Sequence, residues 1–446
     1  MALKTNRRIP LLLLALDVLS IIAIFNLVVL LRGVTAGPFL WALAAPALVF
    51  LATLHLIDGY GVRSDMLSLD YASAHLIAVF FSCLTSLLLT FVFIPSGFEL
   101  QSSRLVVLLS FGLLAPVSLA YRRFLFSWAA ASWSEQFLVF VGGKAAFENF
   151  ETECVRMHTN SPRLHADTTS GFGSFRSVLD DIATGRIEVE AIVLKEAGLE
   201  LPPEIPLKLV QLHFSGTPTY TLELFHEIYW RKIPLYRINP IWLFQEGFQI
   251  AREPVFERLK RISDIVLSLV GLVVSLPFVG LAALAIKLDD GGPVFFAQTR
   301  IGRHRVPFRL LKLRTMRAED SPGDPYTRLG DTRITRIGRL LRSARLDEFP
   351  KLWNVLRGQM SLIGPRAEWD RLVAEYEREI PSYNFRHLVK PGITGWAQVN
   401  YRYGTDITDT LRKLEYDLYY IRNFSFTLDA SIVLKTVHVM LLQKGR

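Results

Sequence analysis

Cysteine is almost missing: 446 residues hold two, Cys83 inside an apolar run and Cys154 in a polar one. That excludes a disulfide scaffold and a cysteine-based metal site, and it suits polar portions that face a cytoplasm. The nine histidines show no metal-ligand spacing, so a histidine metal centre is not expected. Internal repeats and low-complexity tracts are lacking too. Charge is sparse, at 20% of residues against 51% hydrophobic, and mean hydropathy is +0.30. The chain is too apolar for one soluble domain and too charged for a pure membrane bundle, so a mixed protein is expected.

Four apolar stretches open the chain, at about Pro10 to Leu31, Phe39 to Ile57, His75 to Ile94 and Leu105 to Trp128. Each is near the roughly 20 residues that a spanning helix needs. Lys4, Arg7 and Arg8 precede the first, Arg63 lies in the second loop, and Arg122 and Arg123 close the fourth. The segments of about Gly33 to Gly37 and Pro95 to Ser103 in the other two loops lack Lys and Arg, so the positive-inside rule puts the N-terminus and the chain after the fourth span in the cytoplasm. The first stretch is long, lacks a small-residue cleavage site and is followed by three more, which argues against a cleaved signal peptide. Asp17, inside the first stretch, is expected to reach lipid headgroups or a neighbouring helix.

Residues 132–250 have the composition of a soluble domain. FLVFV (Phe137 to Val141) before Gly142 and Gly143, and AIVL (Ala191 to Leu194), resemble buried parallel strands, so a Rossmann-like α/β domain is expected. Its first turn, VGGKAAF, lacks the spaced glycines of a dinucleotide fingerprint, and a structural or regulatory role is the better expectation there. A fifth apolar run, Ile262 to Ile286, is interrupted by Pro277 and flanked by basic residues on both sides: Arg258, Lys260 and Arg261 before it, Lys287 after it. That symmetry is odd for a helix that crosses a membrane.

Between Arg300 and Arg345 thirteen Lys and Arg face four acids, so this segment alone carries +9. Such a block seeks phosphate on nucleic acid, lipid headgroups or a small substrate, or is simply a solvated basic face. Ile334, Ile337, Leu341 and Ala344 recur at helical spacing with arginines threaded between them, which predicts a basic amphipathic helix at a membrane surface. Asp347 and Glu348 follow directly. An adjacent Asp-Glu pair is usually solvated surface, but a cationic surround would keep an Asp ionised and nucleophilic and gather the phosphates it attacks. A carboxylate beside phosphates also implies Mg²⁺.

The segments KRISDIVLSLVG, IKLDDGGPVFFAQTRIG, FRLLKLRTM, ARLDEFPKLWNVLRGQMSLIGPR, VKPGITGWAQVN and KLEYDLYYIRN run in order between about Phe256 and Arg446. This stretch closely resembles the bacterial sugar transferase family, the monotopic polyprenyl-phosphate phosphoglycosyl transferases that start exopolysaccharide and O-antigen synthesis. The four spans plus an α/β domain look like its larger members, the undecaprenyl-phosphate hexose phosphotransferase type. One departure is Ser275, Leu276, Pro277, where a common form has Ser directly before Pro. The resemblance implies three parts: four transmembrane helices over 1–131, the α/β domain over 132–250, and a mainly α catalytic domain over 251–446 with a re-entrant membrane helix at 262–288. It further implies a membrane enzyme of the bacterial inner membrane, with its catalytic domain facing the cytoplasm. Asp347 would attack the β-phosphorus of a UDP-sugar, release UMP and pass the sugar phosphate to polyprenyl phosphate. Glu348 would serve as a base or Mg²⁺ partner, and Asp417 as a further ligand beside Asp347 and Glu348. Arg342, Arg366, Lys312 and Arg314 are the expected phosphate holders, since guanidinium and ammonium groups match phosphate oxygens. The sequence leaves a homo-oligomer open and does not choose among glucose, galactose and N-acetylhexosamine donors.

Two other classes predict differently. A membrane-anchored regulatory or assembly protein would not need Asp347. Nucleic-acid binding is not expected, because the basic block abuts an apolar membrane segment and no reading motif is present.

Overall fold

The computed structural model describes residues 8–31, 44–57, 59–60, 66–92, 104–130, 136–157, 159, 161–169, 171–195, 201–235, 254–317, 331, 333–380, 382–401 and 406–441. The chain divides into two compact units, Met1–Trp230 and Arg231–Arg446.

The first unit opens with four helices, α1 (Arg8–Leu31), α2 (Ala44–Leu56), α3 (Leu69–Val92) and α4 (Arg104–Ala130). α1, α3 and α4 are long and apolar enough to cross a membrane; α2 has 13 residues and falls short of a span. The expected second span began at Phe39, and residues 39–43 lie outside the described residues. α1 packs on α4 and α2, and α3 on α2 and α4. Phe25, Phe50 and Phe111 meet in their core, Phe25 and Phe111 edge to face with centroids 5.6 Å apart. Asp17 is fully buried and bound by a neighbouring helix: Arg122 Nη2 lies 2.6 Å away, and the Tyr60 and Tyr121 hydroxyls donate to the same carboxylate.

The rest of the first unit alternates strand and helix: β1 (Phe137–Val141), α5 (Lys144–Arg156), β2 (Arg163–Ala166), α6 (Gly173–Ala183), β3 (Val189–Leu194), α7 (Glu204–Ser215), β4 (Thr219–Thr221) and α8 (Leu222–Tyr229). The strands form one parallel sheet in the order β2-β1-β3-β4, with Val139 opposite Leu164 on one side and Ile192 on the other. Because strand side chains alternate, Val139, Val141 and Ile192 pack on α6 and α7, while Leu138, Phe140 and Val193 pack on α5 and α8. Both faces are covered, which is why the strands read as continuous apolar runs.

The second unit holds α9 (Pro254–Asp290), the antiparallel hairpin of β5 (Phe295–Ile301) and β6 (Pro307–Leu313), α10 (Arg336–Ser343), α11 (Lys351–Leu356), β7 (Ser361–Ile363), α12 (Asp370–Glu379), β8 (Gly392–Thr394), α13 (Trp396–Asn400), α14 (Ile407–Arg422) and α15 (Phe426–Leu441). Its main core gathers Val373 and Tyr376 of α12, Trp396 of α13, Leu414 and Leu418 of α14 and Ile432 of α15. Residues 231–235, expected in the α/β domain, join this core instead. Ile233 N–H donates to Glu415 O (3.0 Å), Lys232 pairs with Glu415 (3.3 Å) and Trp396 Nε1 donates to Arg231 O (2.9 Å).

α9 is one helix of 37 residues that runs through Pro277 without a break. Its midsection is apolar and uncovered, with Val273, Leu276 and Leu281 each about two-thirds exposed or more (67%, 71% and 67%). Its two ends pack on the same body. Near the start, Arg261 donates to Val355 O and Leu356 O of α11, both at 2.6 Å, and Asp264 accepts from Leu362 N of β7 at 3.0 Å. Near the end, Ala282 and Ile286 pack with Leu313 of β6 and Leu341 of α10.

Candidate active site

The site is assembled where α10 meets the end of β6. Thr335 caps α10, its hydroxyl accepting from Gly338 N at 2.9 Å, while Thr335 N–H donates to Thr315 O at 3.1 Å. Gly338 then lies against the Thr315 carbonyl so closely that a Cβ there would meet Thr315 C at 2.7 Å and Cα at 2.8 Å. This approach lets Arg342, one turn on, donate from Nε to Thr315 Oγ1 at 2.9 Å. α10 is shorter than the apolar periodicity predicts: Ile334 stands before it in a bridge to Met316, and Ile337 and Leu341 carry the buried face. The chain leaves α10 through Arg345, held at φ +58, a left-handed conformation in which a non-glycine residue is strained. That reversal turns Asp347 inward, into the 3-10 turn Leu346–Glu348, where only 7% of it is exposed.

α11 follows at once and is bolted to β6 by Asn354, which accepts from Leu311 N (3.0 Å) and donates to Arg309 O (2.8 Å). The bolt brings Lys312 of β6 and Lys351 of α11 to the two carboxylates. Lys351 is buried, with Nζ 3.2 Å from Glu348 Oε1. Burial would push the Glu348 carboxyl up, but the charges of Lys351, Lys312, Arg366 and Arg345 outweigh it and hold it at about 2. Asp347 behaves oppositely: burial and the Glu348 charge raise it above its ordinary value against Lys312, Lys351 and Arg342. The cationic surround thus keeps Glu348 ionised, whereas desolvation wins at Asp347. The crowded Lys312 ammonium is driven well below its ordinary value, first by Lys351, then by burial and Arg366.

Arg366 enters on a segment clamped to the KPGITGW turn. Gly392 N–H donates to Pro365 O at 2.8 Å, Arg366 bridges to Gly392, and a Cβ on Gly392 would collide with Gly364 N. That turn forms β8, paired with β7, and serves as the wall behind Arg366.

Comparison with known proteins decides the family. Residues 255–443 match the Bacterial sugar transferase family. The UDP-glucose:undecaprenyl-phosphate glucose-1-phosphate transferase of Caulobacter vibrioides is 45% identical over 185 residues, 41% of this chain and 69% of that one. The exopolysaccharide production protein PSS of Rhizobium leguminosarum is 44% identical over 195 residues, 42% of this chain and 97% of the relative. The chain belongs to the bacterial sugar transferase family. The UDP-N-acetylgalactosamine-undecaprenyl-phosphate N-acetylgalactosaminephosphotransferase of Aeromonas hydrophila is 36% identical over 269 residues, 60% of this sugar transferase and 63% of the relative, so the match spans just under two thirds of that relative's length. A match of that length extends upstream of residue 255, into the α/β part of the first unit.

Within this sugar transferase, the structure brings together Asp347, Glu348, Lys312, Arg342 and Arg366 of the residues singled out by sequence. Two expected members are engaged elsewhere. Arg314 forms an ion pair with Asp290 at the end of α9, fastening that helix to β6. Asp417 is paired with Arg386 at 2.9 Å and is raised to about 6 by burial, which outweighs Arg386. Among the described residues, no three His, Cys, Asp or Glu side chains form a metal-binding group, so the three-carboxylate set does not assemble. Lys351 was missed, although its i,i+3 spacing from Glu348 was a usable signal. Lys351→Met should cost about 2 kcal/mol, because it removes the charged partner hydrogen-bonded to the Glu348 carboxylate, while Lys312, Arg366 and Arg345 compensate in part. The sign follows from Glu348: its ordinary value is 4.5 and its folded value about 2, so the pair's stabilisation is full above pH 4.5 and lost as pH falls through about 2. Thermal melts of the variant should therefore show their largest deficit near neutral pH, and an unchanged Tm at pH 7 would contradict this account.

Proposed function

We propose that this protein transfers a sugar 1-phosphate from a UDP-sugar to undecaprenyl phosphate by double displacement on Asp347. The observation that carries the reading is a buried carboxylate set among Lys312, Lys351 and Arg342, on a chain whose relatives are named for that transfer. Asp347 Oδ attacks the β-phosphorus of the UDP-sugar, the diphosphate P–O bond breaks, and UMP leaves with the bonding pair. A phosphate oxygen of the lipid acceptor then attacks the same phosphorus, and the Asp347 carboxylate departs. One phosphoanhydride is exchanged for another, so the protein's task is positioning and charge neutralisation of two anions that repel each other. Lys312, Arg342 and Arg366 hold phosphate oxygens, and Lys351 keeps Glu348 ionised.

Asp347 and Glu348 fit Mg²⁺, because burial and then the Glu348 charge raise Asp347, and a divalent cation relieves two carboxylates so placed. Bound there, Mg²⁺ would neutralise charge that develops on the phosphate oxygens. Asp417, held by Arg386, is not part of that pair.

The catalytic body lies at the cytoplasmic face of the inner membrane on this reading, with α9 entering and leaving the bilayer by that face. A helix crossing a core of roughly 30 Å would part its ends, whereas both ends of α9 pack on one body. Pro277 lacks a backbone donor and weakens the helix at its middle. Replacing Pro277 by Leu should restore the missing backbone donor and stiffen α9 against bending, making cysteine reporters placed after Lys287 partly accessible from outside as activity falls. Wild-type protein that already labels from outside at those positions refutes the re-entrant placement. The reaction itself is tested by UMP release over a panel of UDP-glucose, UDP-galactose and UDP-N-acetylhexosamines with polyprenyl phosphate. No lipid-dependent UMP release with any donor would defeat it.

A further inference from the structure

At the base of α9, on the side of α11 away from its first turn, lies an open cavity whose lining includes Glu257, Lys260, Arg261, Asp264, Arg303 and Lys390. Four of these six are cations, and most have protein partners. Lys260 pairs with Asp429 at 2.5 Å, and Arg303 pairs with Glu257. Asp264 is occupied by Ser361 Oγ and Leu362 N, at 3.1 and 3.0 Å. Among the described residues, Arg261 donates to the two backbone carbonyls that end α11 and forms no ion pair with a carboxylate. Lys390 Nζ has neither a hydrogen bond nor an ion pair among the described residues.

These last two cations converge. A Cβ built on Gly358 would meet Arg261 Nη2 at 3.4 Å and Lys390 Nζ at 3.8 Å, so both heads reach the same point. Burial, and then the Arg261 charge, lower the Lys390 ammonium below its ordinary value despite Asp264 and Glu257. Two like charges turned to one point in a cavity repel, and an oxyanion between them would reverse the sign of that energy.

We propose that this cavity binds the phosphate oxyanion of a phosphate ester between Arg261 and Lys390, at a site separate from Asp347. It lies beside the first turns of α9, where an apolar helix begins. A phospholipid headgroup and a small soluble phosphate share the required chemistry, and the two sources separate experimentally.

The full chain in a nonionic detergent is titrated with inorganic phosphate and, separately, with phosphatidylglycerol, diacylglycerol serving as the uncharged control, and thermal unfolding is followed. Wild-type protein should gain Tm with at least one phosphate compound and not with diacylglycerol. A response to phosphatidylglycerol at concentrations where inorganic phosphate is silent identifies a headgroup site; a response to inorganic phosphate identifies a small-anion site. Lys390→Met should raise Tm without ligand, since it removes the repulsion, and weaken half-saturation at least tenfold; Lys390→Gln gives the same reading should the Met variant not fold. Lys390→Arg should keep the response, and so should Lys312→Met, which alters the Asp347 site instead. Absence of any wild-type response, an undiminished response in the Lys390→Met and Lys390→Gln variants, or loss of the response in Lys312→Met with retention in Lys390→Met, would overturn the proposal.

Discussion

Asp347→Asn is expected to reduce UMP release by about 10³-fold or more, equivalent to at least roughly 4 kcal/mol of transition-state stabilisation. The amide keeps the size of the side chain and its place in the turn, but it offers phosphorus no carboxylate oxygen. The trapped sugar-phosphoryl enzyme should vanish with the UMP, because both come from one attack. Glu348→Gln separates roles: it should be severely slowed yet still accumulate the intermediate if Glu348 acts in the second displacement. Near-normal turnover by Asp347→Asn would end the covalent scheme.

The second large effect is expected at a residue with no chemistry. Gly338→Ala places a methyl group onto the Thr315 carbonyl, and backbone cannot swing away as a long side chain does. α10 must lift from β6, carrying Arg342 away from Thr315 and displacing the turn that presents Asp347. A shift near 1 Å at a reacting group costs on the order of 10²-fold. The expected result is a kcat loss of that size with modest change in Tm, since α10 is only eight residues long. Equal kcat in the variant and wild type would mean that α10 does not set the position of Asp347.

That glycine illustrates which parts of the site were legible in the sequence. The phosphate-seeking block, the Asp-Glu pair and the arginines on either side of it are visible as residue types in order, and the structure gathers Lys312, Arg342, Asp347, Glu348 and Arg366. Composition also separated apolar helices from the α/β portion, and FLVFV and AIVL became adjacent central strands because each is buried on both faces. What was not legible depends on approach in space. Arg314 lies just past the end of β6, two residues after Lys312, and only the packing of α9 decides that Arg314 turns to Asp290. Asp417 was expected as a ligand on the resemblance alone, yet its partner Arg386 is 31 residues away in sequence. Residues 231–235 looked like the tail of the α/β domain until Ile233 found Glu415 across the chain.

The clamping of α9 at both ends also bears on the energetics of the lipid acceptor. On the proposed reaction that substrate is a phosphate on a long hydrocarbon chain, and lifting such a chain into water costs about 0.8 kcal/mol for each CH₂ exposed. Ten carbons withdrawn would already add roughly 8 kcal/mol to the barrier. On the proposed re-entrant placement of α9, a catalytic body with β6 and α10 packed directly on that helix's second half would hold the carboxylate at the headgroup level instead. The acceptor can then react while its tail remains dissolved in the membrane, and encounter reduces to diffusion in a plane.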